Sequence, residues 1–447
     1  MPQPRWSAWI RSRIIRNNSD EKTVPKTGGA VFLLPALVPA LAKGSRNNIG
    51  FDTIFVFHPC SVLRFGSGQR LNILKWDGGQ MNWMLEAAIG AVLAAGLWAG
   101  WRLFDKKLLQ APADSSPDVS RKTVSVVIPA RNEAANLPHL LESLRDQTLP
   151  PVEIVVVDDG SEDGTGEVAA RLGASVVRHD ELPPGWTGKN WALWEGFHHT
   201  TGDIVVFLDA DVRLAPRGLE ALASAREQTG GAVSVVPYHV VPTPAEKLSL
   251  VFNMLGIFVF MSPYEANNPR QGLYGPCIVI SRADYLRAGG HAGIRSEVID
   301  DLALGARCKA AGIPLAHYLG GDLVSYRMYP GGIRQAAEGF AKSAVPSMAV
   351  VSRMTVLLCA LWMIGMFLTG LFFWLDWVLA AGFILYAAQL YRMSRVAGTF
   401  GLLMPVLHLF PSLFFAAVML YSLYQTAWLG RVTWKGRQIQ LGSGRDA

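Results

Sequence analysis

The stretch Ile154-Val-Val-Val-Asp-Asp-Gly-Ser-Glu-Asp-Gly-Thr165 decides the fold class. Four consecutive β-branched residues without polar alternation describe a strand covered on both faces, as in a parallel sheet flanked by helices. The run stops at two carboxylates and a glycine, and Ser161 and Asp163 offer an N-cap to a following helix. The same grammar recurs outward from it. Val124 to Ile128 ends in Pro129-Ala130-Arg131-Asn132-Glu133 and leads to a helix expected over about Glu133 to Asp146. Ile204 to Leu208 ends in Asp209-Ala210-Asp211, while Ser175 to Val177 and Val233 to Val236 read as further short strands. Strands alternating with helices predict an α/β domain with a mostly parallel sheet, and ligands of such sheets bind beyond the carboxyl ends of the strands. The acidic residues cluster there.

Composition sets that domain in a membrane context. Half of the 447 residues are hydrophobic and the mean hydropathy is +0.24, too apolar for a purely soluble enzyme. The apolar stretches Trp83 to Trp101, Val356 to Leu375, Trp377 to Tyr391 and Leu402 to Leu429 predict transmembrane helices at both ends, about four spans in all. Arg102, Lys106 and Lys107 place the end of the first helix in the cytoplasm, and the catalytic segment follows on that side. Arg392 and Arg395 mark a second cytoplasmic loop, and Asp376 an external hairpin. Arg431, Lys435 and Arg437 conflict with the same rule if the last segment crosses once, although Pro405 and Pro411 permit a broken passage. Leu248 to Met261 is too short to span, which leaves a buried helix or one lying in the membrane interface.

The expected organisation is an extension over 1–80, an anchor over 81–105, a linker over 106–122, a catalytic domain over 123–352, membrane helices over 353–430 and a basic tail over 431–447. The net charge of +6 does not point to nucleic acid, because residues 1–80 hold 11 Lys or Arg against 4 Asp or Glu, a surplus of 11 − 4 = 7. That segment has no sustained periodicity, and Asp77-Gly78-Gly79-Gln80 before Met81 is compatible with a purine-rich run ahead of a bacterial start codon. We expect Met81 to be the natural start; a disordered basic tail or targeting extension is the alternative. Cys60, Cys277, Cys308 and Cys359 are scattered and form no Cys-x-x-Cys pair, so neither a disulfide framework nor a zinc knuckle is suggested, and a reducing cytosol fits.

In Asp209-Ala210-Asp211, alternate residues of an extended segment face the same way. One carboxylate can then bind a divalent metal while the other engages metal-bound water or sugar, and oxygen ligands suit Mg²⁺ or Mn²⁺. His198, His199, His239, His291 and His317 show no ligand spacing and read as core or surface. Glu86 and His408, inside apolar segments, mark either a buried functional path or bundle packing.

Taken in order, Pro-Ala-Arg-Asn-Glu (129–133), Val-Val-Asp-Asp-Gly-Ser-Glu-Asp-Gly-Thr (156–165), Trp-Thr-Gly-Lys-Asn-Trp-Ala (186–192), Phe-Leu-Asp-Ala-Asp-Val (207–212), Gly-Pro-Cys (275–277) and Val-Ile-Asp-Asp-Leu-Ala-Leu-Gly (298–305) resemble the family 2 glycosyltransferases over Val124 to Met348. Trp186 to Lys189, Val236 to His239, Tyr274 to Cys277 and Tyr326 to Tyr329 resemble most the membrane-bound enzymes of bacterial carotenoid biosynthesis, of the diaponeurosporenoate type. Hopanoid-associated glycosyltransferases share many of the same blocks.

The resemblance implies a GT-A fold. It implies that Pro129, Arg131, Glu133, Asp158 and Asp159 bind the nucleotide of a nucleotide sugar, a UDP-sugar by preference, and that Asp209 and Asp211 form the metal site. Lys189 is a candidate for the donor diphosphate or sugar, with a solvated loop lysine as the bland account, and Arg327 is the nearest basic candidate for the pyrophosphate. Trp186, Gly275, Pro276 and Cys277 are candidates for the acceptor side, and Trp186 and Trp191 either underlie the sugar or fill the core. Asp301, with Asp300 as runner-up, resembles the acid that supplies the family's base; a helix start carrying acids that favour the dipole is the bland account.

The Gln-x-x-Arg-Trp motif of processive synthases is absent, which argues for one sugar per acceptor. An acceptor carboxylic acid is already ionised at neutral pH and needs little help from a base. The implied partners are a nucleotide sugar and a membrane lipid, namely a carotenoid or isoprenoid acid or alcohol, with a polyprenyl phosphate or hopanoid as the alternative. The implied place is the bacterial plasma membrane. A nucleotidyltransferase lacks support because no glycine-rich, lysine-bearing loop follows the first strand. A transporter needs more spans, and a silent GT-A scaffold would not need every acidic element.

Overall fold

The β-branched runs condense into one seven-stranded sheet, within a computed structural model that describes residues 83–113, 122–179, 181–429, 431–434 and 437–440. In chain order the strands are β1 (Val124–Ala130), β2 (Glu153–Asp158), β3 (Ser175–Arg178), β4 (Ile204–Leu208), β5 (Val212–Leu214), β6 (Ala232–Val236), β7 (Tyr238–His239), β8 (Cys277–Ser281), β9 (Leu315–Leu319) and β10 (Val324–Tyr326). The sheet order is β3-β2-β1-β4-β8-β6-β9, and β5-β10-β7 form a small second sheet. Only β8 among the large sheet's described strands runs antiparallel to its neighbours. Because β8 is reversed, Cys277 at its start pairs with Leu208 at the end of β4. The chain thus enters β8 at the edge where β1, β2 and β4 leave the sheet, and residues 275–276 come to lie beside Asp209.

Side chains alternate across the sheet and bury both faces. Val126, Ile128, Val156 and Val206 pack against Leu137, Leu140, Leu144 and Leu222 on one side. On the other side, Val127, Val205, Phe207 and Ile278 meet Leu193, Phe197, Tyr285 and Leu304. Each such side chain, fully buried, contributes about 1.5–3 kcal/mol. The helix expected from Glu133 begins only at Leu137. The reason is local: Glu133 N–H donates to Thr165 Oγ1 (2.8 Å) and Ala134 N–H to Asp163 Oδ2 (3.0 Å), so these residues are held in a turn.

Trp83–Leu103, Arg353–Phe372 and Leu409–Leu429 are each long and apolar enough to cross a bilayer. Trp377–Ala397 matches them in length, but Gln389, Arg392 and Arg395 lie in its second half. Close packing of this bundle depends on glycine. A Cβ on Gly96 or Gly365 would lie 2.1 or 2.0 Å from the Tyr386 hydroxyl, the small-residue device typical of helices meeting in lipid. Trp362 Nε1 donates to Gln389 Oε1 (2.9 Å), and Gln389 Nε2 donates to the Leu97 carbonyl (2.7 Å). Trp98, Leu357, Ile384 and Leu420 face outward, as lipid-facing side chains do.

The last apolar segment is broken, as its prolines allow, into Leu403–Val406, Leu409–Tyr424 and a π turn over Gln425–Leu429. The expected basic tail contains an antiparallel hairpin, Arg431–Trp434 with Arg437–Gln440; Val432, Thr433 and Ile439 carry the strand preference. Leu250–Met261 takes the buried alternative. Leu250, Val251, Met254, Ile257 and Phe258 are buried in one cluster with Trp362, Tyr386 and Leu390 of the bundle. The expectations for 1–80 and for much of the linker lie outside the described residues.

Candidate active site

The ends of β1 and β2 are stitched into one ledge. Asn132 adopts a left-handed φ of 52°, which asparagine tolerates better than most residues. Its N–H donates to Ser161 Oγ (2.9 Å), and its Oδ1 accepts from Glu162 N–H (2.9 Å). Pro129, half-buried, pairs in register with Val157. Asp158 accepts from Ser161 N–H (3.0 Å) and faces Arg178 Nε (3.2 Å). Arg131 donates to the Asp159 carbonyl (2.9 Å), and His179 Nδ1 lies 3.7 Å from the Asp159 carboxylate. Trp191 stands edge-on to His179 at 6.4 Å between ring centres. A ledge of backbone, carboxylates and aromatic faces suits a nucleoside.

At the end of β4 the backbone fixes both aspartates. Asp209 N–H donates to the Pro276 carbonyl (3.0 Å), and the Asp211 carbonyl accepts from Arg327 N–H (3.2 Å). Lys189 Nζ lies 2.9 Å from Asp209 Oδ1 and 3.7 Å from Asp300 Oδ2. Lys189 heads the helix Gly188–His198, which Thr187 caps. Asn190 Nδ2 donates to the carbonyls of Ile294 (2.8 Å) and Glu297 (3.0 Å), tying that helix to the segment before Asp300. Burial opposes the charge of Lys189, but Asp209, Asp300 and Asp301 outweigh it and raise its pKa.

Asp211 is in the opposite position. Burial, with the charges of Asp209 and Glu133, pushes its carboxyl up to about 8. The negative charges acting on Asp211 are of the kind a divalent cation offsets, and two carboxylates separated by one residue are oxygen donors of the right kind. No group of three or more His, Cys, Asp or Glu forms a closed shell among the described residues. A metal at Asp209 and Asp211 would take its remaining ligands from water or from a substrate.

The third element is the start of the helix Asp300–Ala310. Asp301 accepts from Gly275 N–H and Leu302 N–H, both at 2.9 Å. Burial and the neighbouring Asp300 push Asp301 up to about 6. Burial acts on Asp300 as well, but Lys189 and Lys342 outweigh it and hold that carboxyl below its usual range. The pair is thus split into a committed anion, Asp300, and a carboxylate poised to take a proton, Asp301.

These distances reassign the expected acceptor residues. Gly275 is buried against Asp301, where a Cβ would sit 2.8 Å from Oδ2, so it holds the carboxylate. Pro276 holds Asp209 through its carbonyl. The Cys277 side chain is fully buried in the sheet core, because it opens a strand flanked on both sides. Trp186 is half-buried and packs edge-on to Trp191 at 5.0 Å. Arg327 pairs with the buried Glu246 at 2.9 Å, next to the metal-site candidates.

Gly305 keeps Asp301 in place, since a Cβ there would lie 2.5 Å from the Gly272 carbonyl carbon and 2.6 Å from Leu273 N. Gly305→Ala is expected to cost about 1–3 kcal/mol and to slow transfer with it. Thermal melting of the detergent-solubilised protein beside its transfer rate checks this; an unshifted melt means the helix has room.

The sequence profile described as Glycosyl transferase family 2 matches residues 125–286. A 4,4'-diaponeurosporenoate glycosyltransferase of Staphylococcus haemolyticus (strain JCSC1435) is 34% identical over 289 residues, covering 63% of this chain and 76% of the relative. The chain belongs to glycosyltransferase family 2. An enzyme of the same description from Staphylococcus aureus (strain USA300) is 30% identical over 377 residues, covering 81% of this chain and 99% of that one. Among solved structures, a mannosyltransferase from Pyrobaculum calidifontis in complex with GDP-Man and Mn²⁺ is 21% identical, with a TM-score of 0.48, covering 76% of this chain and 99% of that one.

Within this family 2 glycosyltransferase, the site contains residues that sequence reading did not single out. Glu246 neutralises Arg327, and His179 approaches Asp159. Tyr329 lies within the field of Asp211, Asp209 and Lys189, with a left-handed φ of 55°. Burial lowers the Lys342 pKa, and the charges of Asp300, Lys189, Asp301 and Asp209 also act on it. Tyr329 closes the Tyr326–Tyr329 block already noted in the sequence, whereas Glu246, His179 and Lys342 carry no motif.

Proposed function

We propose that this glycosyltransferase moves one sugar, with inversion, from a nucleotide-diphospho-sugar to the carboxyl or hydroxyl group of a membrane lipid of the carotenoid or isoprenoid class. The observation that carries the reading is the convergence of Asp209, Asp211, Lys189 and the Asp300–Asp301 pair at one sheet edge of a chain with bilayer-length apolar helices. The relatives' names supply the acceptor class. The enzyme works as a multi-pass protein of the bacterial plasma membrane with its sheet domain in the cytoplasm, where nucleotide sugars are made.

In this reading the ledge of Pro129, Arg131, Glu133, Asp158 and Asp159 binds the nucleoside, and a UDP-sugar is the favoured donor. Asp209 and Asp211 would hold a divalent metal, Mg²⁺ or Mn²⁺. When bound, that ion offsets the charge that develops on the leaving diphosphate. Lys189 places a second positive charge beside the same oxygens. Asp301 lies on the acceptor side, where it removes the proton of a hydroxyl acceptor as its oxygen attacks the anomeric carbon. The nucleoside diphosphate leaves with the electron pair of the broken bond.

The experiment is transfer of labelled sugar into extracted lipid by membranes containing the protein, followed by mass analysis of the product. A labelled polysaccharide, or no labelled lipid with any nucleotide sugar, sinks the reading. A pH profile separates the two acceptor chemistries. Asp301 acts as a base only when deprotonated, so transfer to an alcohol should rise with pH and reach half its plateau near the value of about 6 to which this carboxyl is pushed. An acceptor acid ionises without help, so its acidic limb should lie lower or be shallower. Coincident profiles would count against Asp301 as the base.

A further inference from the structure

A chain of hydrogen bonds leaves the far end of the helix that Asp301 opens and returns to the Asp301 carboxylate. Lys309, in the last turn of Asp300–Ala310, donates to the carbonyls of Ala266 (2.6 Å) and Asn268 (2.9 Å) and to Gln271 Oε1 (3.1 Å). Gln271 Nε2 lies 3.1 Å from His317 Nε2, and His317 Nδ1 lies 2.8 Å from Ser234 Oγ. His317 and Ser234 are register partners on β9 and β6, and both are buried. Ser234 Oγ accepts from Tyr274 N–H (3.0 Å), and the next N–H along the chain, that of Gly275, donates to Asp301 Oδ2 (2.9 Å). The ring of Phe260 stands 5.0 Å from that of Tyr274 and 5.7 Å from that of His317, an apolar wall beside these bonds.

The charged end of the chain sets the direction of every bond in it. An ammonium has no acceptor, so Gln271 turns its oxygen to Lys309 and its NH₂ to His317. His317 Nε2 then accepts, and the single proton of the neutral ring sits on Nδ1, which donates to Ser234 Oγ. Burial, with the charges of Lys107 and Lys309, pushes this imidazole down to about 4, so at neutral pH it keeps that one tautomer. Ser234 Oγ is thereby an acceptor for two N–H groups, His317 Nδ1–H and Tyr274 N–H. We propose that Ser234, oriented by His317, is a positioning residue: it fixes the backbone at Tyr274 so that Gly275 N–H keeps the Asp301 carboxylate aimed at the acceptor. This assignment rests on the reading of Asp301 as the base and adds what aims it. Away from water, such bonds resist displacement more than exposed ones do. A base moved by about 1 Å loses on the order of 10²-fold in rate, so a bond one residue away from the group that holds it can decide turnover.

The test uses the full chain in detergent micelles with UDP-glucose, or with GDP-mannose where UDP-glucose is not turned over. The paired acceptors are a polyene primary alcohol and the carboxylic acid of the same polyene. In Ser234→Ala, kcat for the alcohol should fall about 10- to 100-fold, with KM for the donor unchanged and kcat for the acid affected much less. Amide exchange over residues 272–276 should quicken about tenfold, the scale of one lost hydrogen bond, whatever the turnover. Adding Ser234→Ala to Asp301→Asn should cost little more, because both act through one carboxylate. His317→Leu should reproduce the loss, and His317→Asn, which keeps a donor near the place of Nδ1, should restore most of the rate. Equal losses for alcohol and acid, or additive losses in the double variant, would overturn the assignment in favour of a general structural role. Unchanged exchange would overturn it by showing that the backbone is held without Ser234. If Asp301→Asn slows transfer to the alcohol and Ser234→Ala does not, this assignment alone falls. Transfer to the acid alone, to no lipid, or to the alcohol at full rate in Asp301→Asn would fell the reading of Asp301 as the base, and this assignment with it.

Discussion

Asp211→Asn should lower sugar transfer by about 10³-fold, the scale of losing one preorganised charge contact to a transition state, while leaving the protein folded and in the membrane. Asparagine keeps the size of the side chain but removes the anion that binds a cation. The metal dependence should change with it: chelator-treated wild type recovers with Mn²⁺ or Mg²⁺, and the variant does not. Stability should move the other way. Burial and the charges of Asp209 and Glu133 raise Asp211 to about 8 in the folded chain. Between the ordinary carboxylate value and about 8 the folded state holds a proton that the unfolded state lacks. Stability therefore falls as pH rises through that window. The neutral variant lacks that slope, so without metal its melting temperature at pH 8 should exceed that of wild type. Full transfer by the variant would place the metal site elsewhere.

Asp301→Asn should cost about 10²- to 10⁴-fold in kcat for an alcohol acceptor, the range for loss of a positioned base, and much less for an acid. The substitution is structurally mild but not silent. The Asp301 carboxylate accepts from both Gly275 N–H and Leu302 N–H, and an amide oxygen can serve one of them fully while its NH₂ faces the other. Donor affinity should hold, since Lys189 contacts Asp300 and Asp209 and makes no ion pair with Asp301. Asp300→Asn provides the contrast: it removes a partner of Lys189 and should weaken donor binding and turnover together. Equal losses for alcohol and acid in Asp301→Asn would reduce that residue to an electrostatic or positioning role.

The placement of most of these candidate residues was legible in the sequence because they sit where strands end. β-branched runs stopping at Glu133, Asp158 and Asp209 announce both the sheet and its ligand edge, since the same backbone geometry makes the strand and aims the residues beyond it. For Cys277 a motif position does not show which way the side chain points. In an antiparallel strand inserted between β4 and β6, the first side chain falls into the core. The Glu246–Arg327 pair spans 81 residues, and local spacing contains no information about it. Lys342 escaped notice for a related reason. Its helix follows a turn of Pro330, Gly331 and Gly332, and only the folded chain lets Asp300 act on its charge.

The hydrogen bond from Gln389 to the Leu97 carbonyl has a consequence for biosynthesis. About 250 residues separate Leu103 from Arg353 (353 − 103 = 250), so the first apolar helix leaves the ribosome long before the two helices that cover its glycines. At translation rates of about 5–20 residues per second that interval is on the order of ten to fifty seconds. If it crosses the bilayer, Trp83–Leu103 waits there alone, its close-packing surface uncovered, while the whole sheet domain is made. A ribosome stalled within the sheet domain should leave that helix inserted but unpaired and open to quality-control proteases. Completion of Arg353–Phe372 and Trp377–Ala397 then marks the moment when the enzyme becomes resistant to them.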